Sequence, residues 1–183
     1  MNDYPLVWIV MGVSGSGKTL IGRLLAEQWE CDFLEGDRRH SFTNVAKMNA
    51  QQPLQDKDRH QWLLEMEDDI CRAVVKGRET VMTCSALKVS YRQPLTSAGR
   101  VQLVWLNVPK PELERRLSNR PNHYMKPEML ESQLAAFEPI VPAENVITID
   151  GKLSPSEVVN ELSKQAIERF PILKKAWWQR HLQ

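Results

Sequence analysis

One junction constrains this chain more than any other: the apolar run "LVWIVM" passes directly into "GVSGSGKT", Gly12 to Thr19, and an amphipathic stretch follows. The eight residues fit G-x-x-x-x-G-K-[ST] at every required position and lie in the strand–loop–helix context that the pattern needs. Gly12, Gly15 and Gly17 permit backbone angles that a Cβ would forbid, so the N–H groups from Ser14 and Ser16 onward can converge on phosphate oxygens. A helix starting near Gly17 adds its own unpaired N–H donors and the positive end of its dipole. Lys18 is placed to neutralise the β- and γ-phosphates, and the Thr19 hydroxyl to coordinate Mg²⁺. A chain built around this loop is a nucleotide binder.

The remaining pattern predicts an α/β fold. Apolar runs at Leu6–Met11, Phe33–Leu34, Thr80–Cys84, Val101–Val108 and Val146–Ile149 are mostly continuous, as in strands buried on both faces of a parallel sheet. Helical stripes separate them: Leu20, Ile21, Leu24, Leu25 and Trp29; then Trp62, Leu63, Met66, Ile70, Ala73 and Val74; then Val158, Val159, Leu162, Ala166 and Ile167. Asp56 is the expected N-cap of the second, and "SPSE" from Ser154 starts the third with a capping box. Strands alternating with helices give a three-layer sheet with helices on both faces, and ligands at the strands' carboxyl ends.

The 183 residues suffice for one core, and the formal net charge of +1 provides no field to draw the chain to nucleic acid or an acidic membrane. No apolar run reaches bilayer length, and the N-terminus "MNDYPLVWIV" shows no basic leader. Cys31, Cys71 and Cys84 lack metal-ligand spacing and read as reduced thiols in or near the core. These features describe a cytoplasmic single domain with no nucleic-acid or membrane partner.

What happens to the phosphate depends on a second group. There is no guanine-reading N-K-x-D, and the third strand ends in "TCSALK" without the carboxylate of a motor-type ATPase. The candidate acid is Asp37 in "FLEGD", at the end of strand two, where it could orient or deprotonate an attacking hydroxyl beside the loop. The alternative is that Asp37 caps the helix after it. Lys18 and Asp37 are the candidate catalytic pair.

The segments "MGVSGSGKT", "FLEGDRRH", "NVAKM", "PLQDKDR", "CSALKVSYR" and "NHYM…LESQLAAFE" occur in this order. In them the chain resembles the P-loop gluconokinases, relatives of shikimate and nucleoside monophosphate kinases, over about residues 6 to 150. The resemblance implies Mg²⁺- and ATP-dependent phosphorylation of D-gluconate to 6-phosphogluconate on a five-stranded parallel sheet with a mobile lid, commonly in a homodimer. It assigns 1–170 to one kinase domain with the lid at about 120–137, and leaves 171–183 as a tail. It implies a substrate site of Asp37, His40, Arg59, Lys88, Arg92 and His123, cations for the carboxylate and hydrogen-bonding groups for the polyol. Lys88 and Arg92, four apart, are expected on one face of the helix after strand three, with Arg92 gripping a carboxylate at two points. Arg116 and Arg120 match lid positions that contact the nucleotide, and Asp150–Gly151 forms a turn beneath the adenine.

Taken singly, Arg59, Lys88 and Arg92 also read as surface charges or ion pairs, and Arg116 and Arg120 as helix C-terminal charges. The chain departs from the usual pattern at Ser41, Gln52, Gln61 and Tyr124. The basic-aromatic tail, with Lys174, Lys175, Trp177, Trp178, Arg180 and His181, lies outside the resemblance, and Pro171 ends the helix before it. Two other readings stay open: a kinase of another small hydroxy acid or sugar, and a nucleotide-binding regulatory module without turnover.

Overall fold

The computed structural model describes residues 4–50, 52, 54–119 and 127–175, with backbone alone for 127–129. Five strands, β1 (Val7–Met11), β2 (Asp32–Glu35), β3 (Thr80–Cys84), β4 (Val101–Asn107) and β5 (Ile147–Asp150), form one sheet in the order β2-β3-β1-β4-β5. Every pairing is parallel, with Ile9 on β1 facing Met82 of β3 on one side and Leu103 of β4 on the other. Parallel strands need crossovers, and α1 (Lys18–Gln28), α2 (Phe42–Asn49), α3 (Asp56–Val75), α4 (Val89–Ser97), α5 (Lys110–Ser118), α6 (Pro127–Ala136) and α7 (Pro155–Arg169) lie in them or after the last strand.

Alternation along β1 divides the core. Val7, Ile9 and Met11 pack with Trp62, Met66 and Ile70 of α3 and Tyr91 and Leu95 of α4. Trp8 and Val10 face the other way, onto Ile21 and Leu25 of α1 and Val158, Leu162 and Ala166 of α7. Successive strand side chains point to opposite faces, so a continuously apolar strand requires two apolar layers, and the chain supplies both. A third cluster joins Val13 and Leu87 to Leu113, Leu117 and Leu130, packing α5 and α6 against the carboxyl edge of the sheet.

The local signals hold with shifts of one residue. Ser154 caps α7, with the reciprocal Glu157 contact of a capping box. The cap of α3 is Gln55 rather than Asp56, because Asp58 at the third helical position returns its carboxylate to the Gln55 N–H. Leu20, expected in the buried stripe of α1, is 49% exposed. α7 ends at Arg169 and Pro171 opens a short 3₁₀ turn to Lys174. The three cysteines are free, Cys84 buried and Cys31 half-buried as expected but Cys71 exposed. Among the described residues no helix is long and apolar enough to cross a membrane. Of the expected lid, 127–136 is helical while 120–126 lies outside the described residues, as do Trp177, Trp178, Arg180 and His181 of the tail.

Candidate active site

The loop between β1 and α1 has the geometry its sequence requires. Gly17 is the N-cap of α1 at φ 99°, in the left-handed region where a Cβ is disfavoured. Lys18 Nζ donates to the Val13 carbonyl at 3.1 Å, holding the ammonium over the loop. Ser16 Oγ is buried within the loop without a hydrogen-bond partner. The Ser14 N–H donates to Gln133 Oε1 of α6 at 2.7 Å, so the helix after the lid rests directly on the loop.

On one side of this loop opens a cleft of about 420 Å³, lined by Lys18, Thr19, Asp37, His40, Arg59 and Lys88 along with Ser14, Ser85 and Gln133. Close packing brings Asp37 there. Gly36 presses onto β3 so tightly that a Cβ would stand 2.1 Å from the Thr83 carbonyl oxygen. Trp62 Nε1 donates to the Gly36 carbonyl at 2.9 Å, and the His40 ring stacks on Trp62 with centroids 4.8 Å apart. The 3₁₀ turn Gly36–Arg39 is thereby fixed, with Asp37 lining the same cleft as the loop's Lys18. The helix that follows is capped by Ser41, which accepts from the Asn44 N–H at 3.2 Å, so Asp37 does not serve as its cap. Burial lowers the His40 pKa from 6.5 against the opposing pull of Asp37, favouring neutral imidazole. Cys84, buried at the end of β3, has its thiol pushed up to about 12, chiefly by burial.

The cations of the cleft are differently disposed. Arg59, in the first turn of α3, donates to the Leu54 carbonyl at 2.6 Å and lies over the Tyr91 ring. Lys88 Nζ reaches both Asp56 oxygens at 2.8 Å, and the Tyr91 hydroxyl donates to the same carboxylate. The Lys88 hydrogen bond, then that of Tyr91, holds the Asp56 carboxyl below its usual range; the Asp56 contact raises Lys88 in turn. Burial first, and Asp56 second, raise the Tyr91 phenol.

Arg92 is a correction. It does not share a helix face with Lys88, because α4 begins at Val89 and Lys88 is its cap residue. Lys88 points to the cleft, whereas Arg92 is 1% exposed and directed inward, its guanidinium on Glu144 and on the carbonyls of Ala86, Leu87 and Pro139. The fork is taken up by Glu144 and does not line the cleft.

A second cavity, of about 370 Å³, lies on the other side of the loop between Gly15, Gly17, Leu20, Arg116, Gly151 and Pro155. Leu20 is exposed because it forms a wall of this cavity. Arg116 spans it, donating to the Gly151 carbonyl at 2.6 Å and the Ser16 carbonyl at 3.3 Å, and is held at Nε by Glu112. Contacts with Arg115, then Arg116, bring the Glu112 carboxyl down to about 2. A turn follows β5, with the Gly151 N–H bonded to Asn107 O at 2.9 Å and Gly151 lining this cavity. Arg120 and His123 lie outside the described residues.

Sequence reasoning assigned nothing to Gln133, although "LESQLAAFE" contained it, nor to Asp56 and Tyr91 as partners of Lys88. Gln133 meets Ser14 across 119 residues of chain, a contact only the tertiary fold creates. Two cavities thus adjoin one phosphate-binding-type loop, and both include Gly15 and Gly17 in their walls.

Comparison with known proteins identifies the family. The family model described as "AAA domain" matches residues 7–140. A gluconokinase of Gluconobacter oxydans (strain 621H) is 41% identical over 163 residues, 88% of this chain and 92% of that protein. A probable gluconokinase of Xenopus tropicalis is 33% identical over 187 residues, 93% and 98% of the two chains. The crystal structure of a gluconokinase from Sinorhizobium meliloti 1021 superposes with a TM-score of 0.83 at 32% identity, covering 97% of this chain and 99% of that one. The chain therefore belongs to the gluconokinase family of P-loop kinases, within the AAA-domain family.

Proposed function

We propose that this chain transfers the γ-phosphoryl group of ATP to a hydroxyl of D-gluconate, releasing 6-phosphogluconate and ADP, with the nucleotide in the Arg116 cavity and the sugar acid in the Asp37 cleft. One observation carries the assignment: Lys18 and Thr19 of the phosphate loop share a single cleft with Asp37, Arg59 and Lys88. Phosphoryl transfer needs in-line positioning and charge neutralisation more than covalent chemistry. The loop N–H groups and Lys18 hold the transferring phosphate. Asp37 accepts the proton of the attacking hydroxyl, and the neutral His40 ring beside it hydrogen-bonds the polyol. Arg59 replaces Arg92 as the guanidinium that grips the carboxylate, with Lys88 as a second cation at the rim. Arg116 and Arg120 serve the nucleotide, and His123 the acceptor.

Mg²⁺ fits the loop as part of the ATP substrate. Among the described residues no three His, Cys, Asp or Glu side chains form a metal cage, and Mg²⁺ carried on phosphates needs few protein ligands. Thr19, in the first turn of α1, is the residue that would hold it, and the ion would supply neutralisation of the phosphate charge. We further propose that the protein works in the cytoplasm, that 1–170 is one kinase domain, and that the chain pairs as a homodimer.

The test is a coupled assay of ATP consumption with Mg²⁺ and a panel of gluconate, other aldonates, shikimate and glycerate. Turnover selective for gluconate is expected. Turnover on another acceptor overturns the substrate, and tight ATP binding with no turnover on any acid overturns the kinase.

A further inference from the structure

Arg92 is among the largest fully buried side chains, yet it serves neither cavity directly. A buried ion pair adds little net stability over an apolar packing of the same volume, so its partners matter more than its charge. Two of them are backbone carbonyls of the segment between β3 and α4: Nη1 donates to Ala86 O at 3.3 Å and to Leu87 O at 3.0 Å. Ala86 is fully buried at φ 44°, in the left-handed region that a residue with a Cβ disfavours. Its neighbours Ser85, Leu87 and Lys88 line the acceptor cleft. The rest of the guanidinium reaches the chain that leaves α6, with Nη2 on Pro139 O at 3.4 Å and on Glu144 Oε1 at 3.2 Å, while Glu144 also accepts from the Val141 N–H. That chain returns to the same segment, for the Glu138 N–H donates to Leu87 O at 2.8 Å and Glu138 Oε2 accepts from the Val89 N–H at 2.5 Å.

From this we infer that Arg92 is a positioning residue for the acceptor cleft: anchored by Glu144, it holds the left-handed turn at Ala86 and so sets where Ser85, Leu87 and Lys88 stand. The inference rests on the acceptor-cleft reading above. A lysine keeps the charge but lacks the planar fork that reaches carbonyls and carboxylate together. A glycine at position 86 adopts the left-handed turn without a Cβ penalty and makes the guanidinium less necessary.

The experiment compares the Michaelis constants for gluconate and ATP, with melting temperature, in the unaltered chain, Arg92→Lys, Glu144→Gln, and each of these combined with Ala86→Gly. Arg92→Lys is expected to raise the constant for gluconate about tenfold, with that for ATP within about twofold, since misplacement is confined to the acceptor side. Glu144→Gln, which retains Arg92 and a neutral acceptor beside it, is the second variant should Arg92→Lys not fold, and is expected to shift the same constant in the same direction. Adding Ala86→Gly returns the gluconate constant toward the unaltered value without restoring the melting temperature. An unchanged gluconate constant in both single variants, equal rises for ATP and gluconate, or no rescue by Ala86→Gly in an active enzyme each overturn the inference alone. An unaltered chain that transfers nothing to gluconate overturns the functional reading and the inference with it.

Discussion

Replacing Gly36 by alanine tests how the fold delivers Asp37 to the cleft. The added Cβ would lie 2.1 Å from the Thr83 carbonyl oxygen and 2.9 Å from Met66 Cε. The methionine can turn aside, but the carbonyl belongs to β3, which is paired on both sides and cannot. Relief to an ordinary contact of 3.4 Å needs a retreat of at least about 1.3 Å by the turn that carries Asp37. Overpacking of this kind costs about 1–3 kcal/mol, and an opposing backbone atom places it at the upper end. The retreat also strains the buried Trp62–Gly36 hydrogen bond, worth about 1 kcal/mol. The total, about 3–4 kcal/mol, lowers the melting temperature by roughly 6–16 °C in a chain of this size. A misplacement of about 1 Å in a reacting group costs up to about 100-fold in turnover. Because the phosphate loop is elsewhere, ATP affinity is expected to hold. Gly77→Ala is the control, for its Cβ meets nothing within 4 Å and only the φ of 61° opposes it, a cost of about 1 kcal/mol. Thermal melts, ATP titrations and steady-state turnover read the outcome. A Gly36→Ala protein with unaltered melting temperature and turnover would refute the reasoning.

Three further outcomes are expected. Arg59→Lys raises the Michaelis constant for gluconate about tenfold, the loss of one charge-assisted hydrogen bond of about 1.5 kcal/mol, and leaves that for ATP unchanged in steady-state kinetics. Because burial lowers the His40 pKa, the unfolded chain binds more protons there, so stability falls as pH drops through 6.5 to the lowered value. Urea unfolding across that window shows a shallower decline for His40→Asn. Glu112→Gln releases the Arg116 guanidinium from one of its three anchors and weakens ATP binding by titration, with the gluconate constant unchanged.

The parts of this molecule legible in its sequence are those set by short-range chemistry. The phosphate loop, the five strands and the Ser154–Glu157 capping box each depend on residues within a few positions, and each lies where the pattern places it. Asp37 and Arg59 were legible as cleft residues because they lie close to the ends of elements whose direction the parallel sheet fixes. Arg92 was not, because its direction depends on where α4 begins: a start at Val89 turns position 88 to the cleft and position 92 into the core. Glu144, the partner that satisfies it, is 52 residues away. Leu20 follows the helical period but faces a cavity, which periodicity alone does not distinguish from a neighbouring helix. Gln133 acquires its place only when α6 docks on the loop.

The most direct test of the account is Asp37→Asn, which preserves size and removes the base. ATP binding, followed by titration with Mg²⁺ present, is predicted to stay within about twofold of the unaltered chain, while transfer to gluconate falls about 10²–10⁴-fold, the usual contribution of a general base. Near-normal transfer by Asp37→Asn would contradict the account, and so would loss of ATP binding together with transfer.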